Sequence, residues 1–148
     1  AHVVFDALTD GRPATLSRAV VTDLLRGELG FEGLVLTDDM EMKAIADHFG
    51  VESAACAAIE AGCDQLLICS RLPWLERAHA ALVERAERDL AFRARLADAA
   101  ARSLATRRRR PPRPITEKAA LDQALAPDET EALARELSLR LARISHGS

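Results

Sequence analysis

The chain has 148 residues, 49% hydrophobic and 29% charged, a balance that suits about one folded domain and excludes a disordered or collagenous chain. Its 20 basic and 23 acidic residues leave a net charge of −3, so no global field draws it to nucleic acid or to an anionic membrane, and neither is expected as a partner. No apolar run reaches the roughly 20 residues that span a bilayer and no basic-then-apolar leader opens the chain, so a cytoplasmic location is expected.

Residues 3–5 read as a strand that starts almost at Ala1, which suggests that the chain opens inside a fold and belongs to something larger. Asp6, Thr9, Asp10, Gly11 and Pro13 then make a turn-rich loop. Ser17 is placed to cap a helix bearing Val20, Val21, Leu24, Leu25 and Leu29, with Gly30 as its stop. Gly33-Leu34-Val35-Leu36-Thr37 is a continuous apolar run that ends in two acids, as in a strand buried on both faces of a parallel sheet. Residues 41–48 and 51–61 predict helix, interrupted at Gly50 and closed at Gly62, and residues 65–69 predict the third strand. A helix over 74–88 follows Pro73.

Val3, Leu34 and Gln65 are spaced 31 residues apart. A (β/α)8 barrel spreads about 250 residues over eight units, about 31 each, so the period suits about three βα units of a barrel, although a doubly wound sheet shares it. The expected class is therefore α/β: the C-terminal βα units of a TIM-type barrel over residues 1–106, an Arg/Pro linker over 107–114, and a helical extension over 115–148. Leu133, Leu137, Leu141 and Ile144 give the last helix an apolar stripe. The arginine run reads as a solvated linker, with no aromatic side chain nearby to stack on a base. Cys56, Cys63 and Cys69 lack a CxxC or a paired histidine motif and read as buried thiols.

The stretch Leu24-Leu25-Arg26-Gly27-Glu28-Leu29-Gly30-Phe31-Glu32-Gly33-Leu34-Val35-Leu36-Thr37-Asp38-Asp39-Met40 resembles the signature of family-3 glycoside hydrolases. There a helix end, a glycine, apolar strand residues and Ser/Thr-Asp lead to the nucleophilic aspartate. Asp39-Met40-Glu41-Met42-Lys43-Ala44-Ile45, the opening Ala1-His2-Val3-Val4 and Ala61-Gly62-Cys63-Asp64 are similar to the bacterial β-N-acetylglucosaminidase (β-hexosaminidase) branch. The likeness covers residues 1–105, with Glu41 standing where the broader family often has a small residue.

The resemblance implies a retaining β-N-acetylhexosaminidase segment acting on an N-acetylglucosamine-containing saccharide such as a peptidoglycan-derived muropeptide, with Asp38 as nucleophile and no cofactor or metal. It also implies that the acid/base histidine and a Lys-His sugar-binding pair lie on segments absent from these residues. The fragment alone is thus expected to be inactive, and to need the missing barrel half or self-association to cover its open strand edges. Asp39, Met40 and Met42 are candidate substrate contacts, and Thr37 a candidate to orient Asp38. Asp38 also suits the N-cap of the next helix.

His2, at the start of its strand, reads as a buried, hydrogen-bonded histidine away from the mouth, while His48, His79 and His146 read as surface residues. Arg12 and Ser17 lie in the long loop, where a substrate contact is open to them. Two other readings compete: a receiver-like phosphoacceptor domain, which needs a lysine at a later strand end that this chain lacks, and a non-catalytic remnant that binds sugar or another chain.

Overall fold

The structure, a computed structural model, describes residues 2–112, 114, 116–125 and 127–145; the side chains of 122–125, 127, 128 and 143–145 are outside what is described. Ala1, Arg113, His146 and the side chain of Ile144 therefore lie beyond the described residues. The chain divides into two compact units, Ala1–Arg110 and Pro111–Ser148.

In the first unit a 3-10 turn, Ala14–Leu16, leads into a π-helix, Ala19–Glu28. Strand β1 (Leu36–Asp39), helices α1 (Lys43–Ala46) and α2 (Val51–Ala61), strand β2 (Gln65–Leu67) and helices α3 (Leu72–Arg88) and α4 (Leu90–Arg109) follow. β1 and β2 pair in parallel. The connection between them is α1 and α2, the crossover that parallel strands require. Leu16, Val21, Met40, Ile45, Ala54, Ala58, Ala61 and Cys63 form the core at the sheet. The alanines of α2 let its neighbours approach closely: Thr22 Oγ1 donates to the Ala61 carbonyl at 2.7 Å. At the next residue, Gly62, φ is +119° and an added Cβ would stand 2.6 Å from that hydroxyl, so only glycine ends α2 here.

The N-terminal end of the strand pair is sealed by charge. Asp64 immediately precedes β2, its side chain is wholly buried, and it is bonded by Arg26 of the π-helix and by Arg95 of α4 at 2.8 Å. Its second oxygen also accepts the Val35 N–H at 3.0 Å. A buried carboxylate is tolerable because these donors replace the water it has lost.

Several expectations change. Of three expected strands, two form. Residues 3–5 make only an isolated antiparallel bridge, Val4 to Pro13, because the Phe5 carbonyl is taken by the Leu8 and Thr9 N–H groups and the turn folds the chain back on itself. Val3, Val4 and Phe5 are exposed. β1 begins three residues later than expected and includes both acids. The helix expected from Ser17 is a π-helix without a side-chain cap: Ser17 is buried, and its carbonyl accepts from Val20 and Val21. The arginine run is not linker as far as Arg109, because α4 continues until Pro111 and Pro112 stop it, and Arg107, Arg108 and Arg109 sit favourably at its negative C-terminal end.

The second unit holds α5 (Lys118–Leu125) and α6 (Pro127–Ser145). On α6 Leu133, Leu137, Leu139 and Leu141 are exposed, and Glu131–Arg135 and Glu136–Arg140 pairs run along the helix. Among the described residues no helix is long and apolar enough to cross a membrane.

Candidate active site

Asp38 lies at the C-terminal end of β1, inside an irregularity of the strand. Leu36 pairs with Gln65 and Asp39 with Leu67, so three steps on β1 face two on β2 and one residue is extra. Such a bulge breaks the alternation of faces. Thr37 is buried, whereas the consecutive Asp38 and Asp39 are both half-buried, neither being driven fully to the core side. Asp38 Oδ1 accepts the Asp39 N–H at 2.9 Å, and among the described residues nothing donates to Oδ2. One oxygen is thus held and the other left open, the arrangement a carboxylate nucleophile needs. This bond also shows that Asp38 does not cap α1, whose N-cap is Met42.

Asp39 continues the chain of contacts. Its Oδ1 accepts the Glu41 N–H at 3.0 Å, and its carbonyl is bonded by His2 Nε2 at 3.0 Å. A carbonyl can only accept, so Nε2 is the donor, while Nδ1 is buried without a hydrogen-bond partner among the described residues. Glu41 in turn holds the loop after β2: its carboxylate accepts the Ser70 and Arg71 N–H groups, each at 2.8 Å, and the Ser70 hydroxyl. The Ser70 hydroxyl, then the two N–H groups and the Arg71 guanidinium, hold the Glu41 carboxyl at about 2, well below its ordinary 4.5. Arg71 lies over the ring of Trp74, 4.7 Å from its centre. Cys69 is exposed at this rim, and its thiol is pushed up by desolvation, by the charge of Asp39 and a hydrogen bond to it, and by Glu41 and Asp38.

The candidates of the sequence thus separate. Asp38 and Asp39 come together at the rim, and Met42, 45% exposed, lies on the same turn. Met40 does not contact a substrate: it is 0% exposed in the core, because its N–H bonds the Leu67 carbonyl and turns the side chain inward. Thr37 does not orient Asp38; its Oγ1 accepts the Leu67 N–H at 3.0 Å and joins the two strands. His2 is buried and bonded as expected, but at the acidic end of β1 rather than away from it, since residues 3–5 run past the sheet instead of joining it. Arg12 lines a different cavity of about 470 Å³, with Arg18, Thr22, Glu60, Asp89 and Arg95. Cys69 is exposed and Cys56 half-buried, so only Cys63 is the buried thiol expected. His48 and His79 are exposed.

Glu41, Cys69 and Arg71 went unassigned in the sequence, although one signal was there. Residues directly after a parallel strand lie at the same end as those of its neighbour, which places 69–71 beside Asp38. Among the described residues no group of three His, Cys, Asp or Glu side chains is placed to hold a metal ion.

Known proteins resemble this chain in sequence and in fold. The sequence profile of the "Glycosyl hydrolase family 3 N terminal domain" matches residues 1–105. A curated beta-hexosaminidase of Alkalilimnicola ehrlichii is 47% identical over 70 residues, covering 47% of this chain and 20% of that protein. One of Chromobacterium violaceum is 37% identical over 93 residues, covering 63% and 26%. Among solved structures, a glycoside hydrolase family 3 beta-N-acetylglucosaminidase from a Paenibacillus species superposes with a TM-score of 0.71 at 38% identity, covering 80% of this chain and 23% of that one. A beta-N-acetylhexosaminidase from Beutenbergia cavernae gives 0.66 at 38% identity, covering 72% and 31%. The chain spans between a fifth and a third of the length of these relatives.

Proposed function

The chain belongs to glycosyl hydrolase family 3, matched through that family's N-terminal domain, and on this premise we propose that it carries the nucleophile portion of a retaining β-N-acetylhexosaminidase site. The observation that carries the reading is Asp38: a half-buried carboxylate in the bulge at the C-terminal end of a parallel strand, with Oδ1 held by the next N–H and Oδ2 open. In this reading Oδ2 attacks the anomeric carbon of a terminal N-acetylglucosaminyl group, the bond to the leaving oxygen breaks, and water later releases the sugar from the Asp38 ester.

The parallel pair β1–β2 with its helical crossover is then part of a (β/α)8 barrel whose other strands lie on segments beyond this chain, and the exposed Leu36 and Leu67 are where neighbours would pack. The proton donor belongs to those segments too, so the fragment by itself turns over no glycoside. The substrate class is an N-acetylglucosamine-terminated saccharide, with peptidoglycan-derived muropeptides as its natural source. The phosphoacceptor alternative lacks the lysine it needs at a later strand end, and the Ser70 hydroxyl in the loop after β2 is engaged by Glu41.

A fluorinated N-acetylglucosaminyl fluoride decides the matter, because fluoride leaves with little help from an acid and the ring fluorine slows release. In a complete enzyme containing this segment, peptide mapping is expected to find the sugar on Asp38. A label on another residue would remove Asp38 from the role, and no label with intact folding would remove the hydrolase reading.

A further inference from the structure

Glu41 is the member of the acidic rim to which the proposed chemistry gives no task. Its side chain is 9% exposed, and the two oxygens divide their work. Oε1 accepts the N–H groups of Ser70 and Arg71, both at 2.8 Å. Oε2 accepts the Ser70 hydroxyl and faces Arg71 Nε at 3.7 Å. From its own backbone Glu41 donates to Asp39 Oδ1 at 3.0 Å, so one residue ties the turn after β1 to the loop after β2.

Helix capping does not account for it, because α1 has Met42 as N-cap and takes no side-chain cap bond. Nor does a surface ion pair, which needs none of these backbone donors and contributes little. The donors all come instead from one loop, at the rim, and converge on the Glu41 carboxylate. Cys69 is exposed there, and Arg71 is stacked on Trp74.

We propose that Glu41 is a positioning residue, which fixes the loop of residues 69–71 beside Asp38 and so shapes the wall that the substrate's leaving group meets. The identity of that leaving group rests on the hexosaminidase reading, while the clamp stands on its own contacts. Because the loop amides use Oε1 and Arg71 uses Oε2, the two halves of the clamp are separable. Glu41→Gln keeps a carbonyl oxygen for both amides, and Glu41→Ala removes everything.

The first arm uses the chain itself, with amide hydrogen exchange followed at Ser70 and Arg71. Glu41→Ala is expected to speed exchange at both by about tenfold or more, about 1.4 kcal/mol, as for the loss of a hydrogen bond to a charged group, and Glu41→Gln to stay within about threefold of the parent. Unchanged exchange in Glu41→Ala overturns the proposal. The second arm uses a complete enzyme with this segment in its barrel and two substrates that share the N-acetylglucosaminyl group, one leaving a bulky phenol and one leaving fluoride. Glu41→Ala is expected to raise KM for the aryl glycoside about tenfold with the fluoride's KM and kcat kept within about twofold, Glu41→Gln recovering most of the loss. Equal losses on both substrates, the mark of general structural damage, overturn the positioning role. If the parent enzyme turns over neither substrate, the hexosaminidase reading falls and takes the leaving-group wall with it, while the exchange result still decides the clamp.

Discussion

The two ends of the β1–β2 pair use the same functional group in opposite ways. At the N-terminal end Asp64 is wholly buried and bonded on both oxygens, by Arg26, Arg95 and the Val35 N–H. At the C-terminal end Asp38 is half-buried with one oxygen held and one open. A carboxylate buried and bonded on both oxygens can hold elements together but offers no oxygen for attack. One held by a single neighbouring N–H keeps its position and its nucleophilicity. The division agrees with the general character of parallel α/β folds, in which chemistry sits at the C-terminal ends of strands and stability at the other.

The comparison is broken most severely at the reactive end. In a complete enzyme Asp38→Asn is expected to lower kcat by at least about a thousandfold, some 4 kcal/mol on the barrier, because an amide cannot form the glycosyl ester. A residual kcat above about a tenth of the parent's in steady-state assays of an aryl N-acetylglucosaminide would return Asp38 to a structural role. At the sealed end Asp64→Ala leaves Arg26 and Arg95, only 15% and 21% exposed, without their shared partner. The expected cost is about 3 kcal/mol of folding stability, read as a fall in the urea midpoint. An unchanged midpoint would mean that the buried network contributes nothing beyond its own desolvation.

Smaller effects sharpen the contrast. Asp39→Asn keeps the oxygen that accepts the Glu41 N–H, so turnover is expected to fall by no more than about tenfold and folding stability, read from the urea midpoint, by less than about 1 kcal/mol. A loss on the scale of Asp38→Asn would make the two acids joint participants. The smallest effect is one of pH. Glu41 is held at about 2 against an ordinary 4.5, and a lowered carboxyl favours the folded loop above about 4.5 and loses that contribution as pH falls toward 2. Trp74, the chain's single tryptophan and the platform for Arg71, should report it as an emission change centred near 2 that is absent in Glu41→Gln. A transition centred near 4.5 would show that the Ser70 and Arg71 donors do not hold the carboxylate.

Much of this was legible in the residues themselves. The α2 boundaries follow from Gly50 and Gly62, and the apolar run ahead of the acid pair marked that a strand forms there, although β1 starts only at Leu36 and takes in both acids. The signature from Leu24 to Met40 indicated the family, and within it the aspartate proposed as nucleophile. The sequence could not show that Val3 to Phe5 would bridge to Pro13, because whether an apolar run becomes a strand depends on the partner offered to it. It read Met40 as a possible contact because a methionine beside an acid suits a subsite and a core equally well, and only the bond from its N–H to the Leu67 carbonyl turned it inward.

The sequence by itself determined the order of β1, α2, β2 and α3, the glycine stops of α2 and the position of Asp38 toward a strand's end, since these depend on local apolar patterning and backbone freedom. Only the tertiary structure decided which carboxylate is sealed and which is open. That distinction belongs to the donors that other elements bring: two arginines from the π-helix and α4 around Asp64, a bulge and one N–H at Asp38, and the β2 loop around Glu41. Each of those donors lies 25 or more residues away along the chain except at Asp38, where the neighbour's own N–H acts, so the sequence could place Asp38 after an apolar run but could not show the contacts that seal Asp64 and engage Glu41.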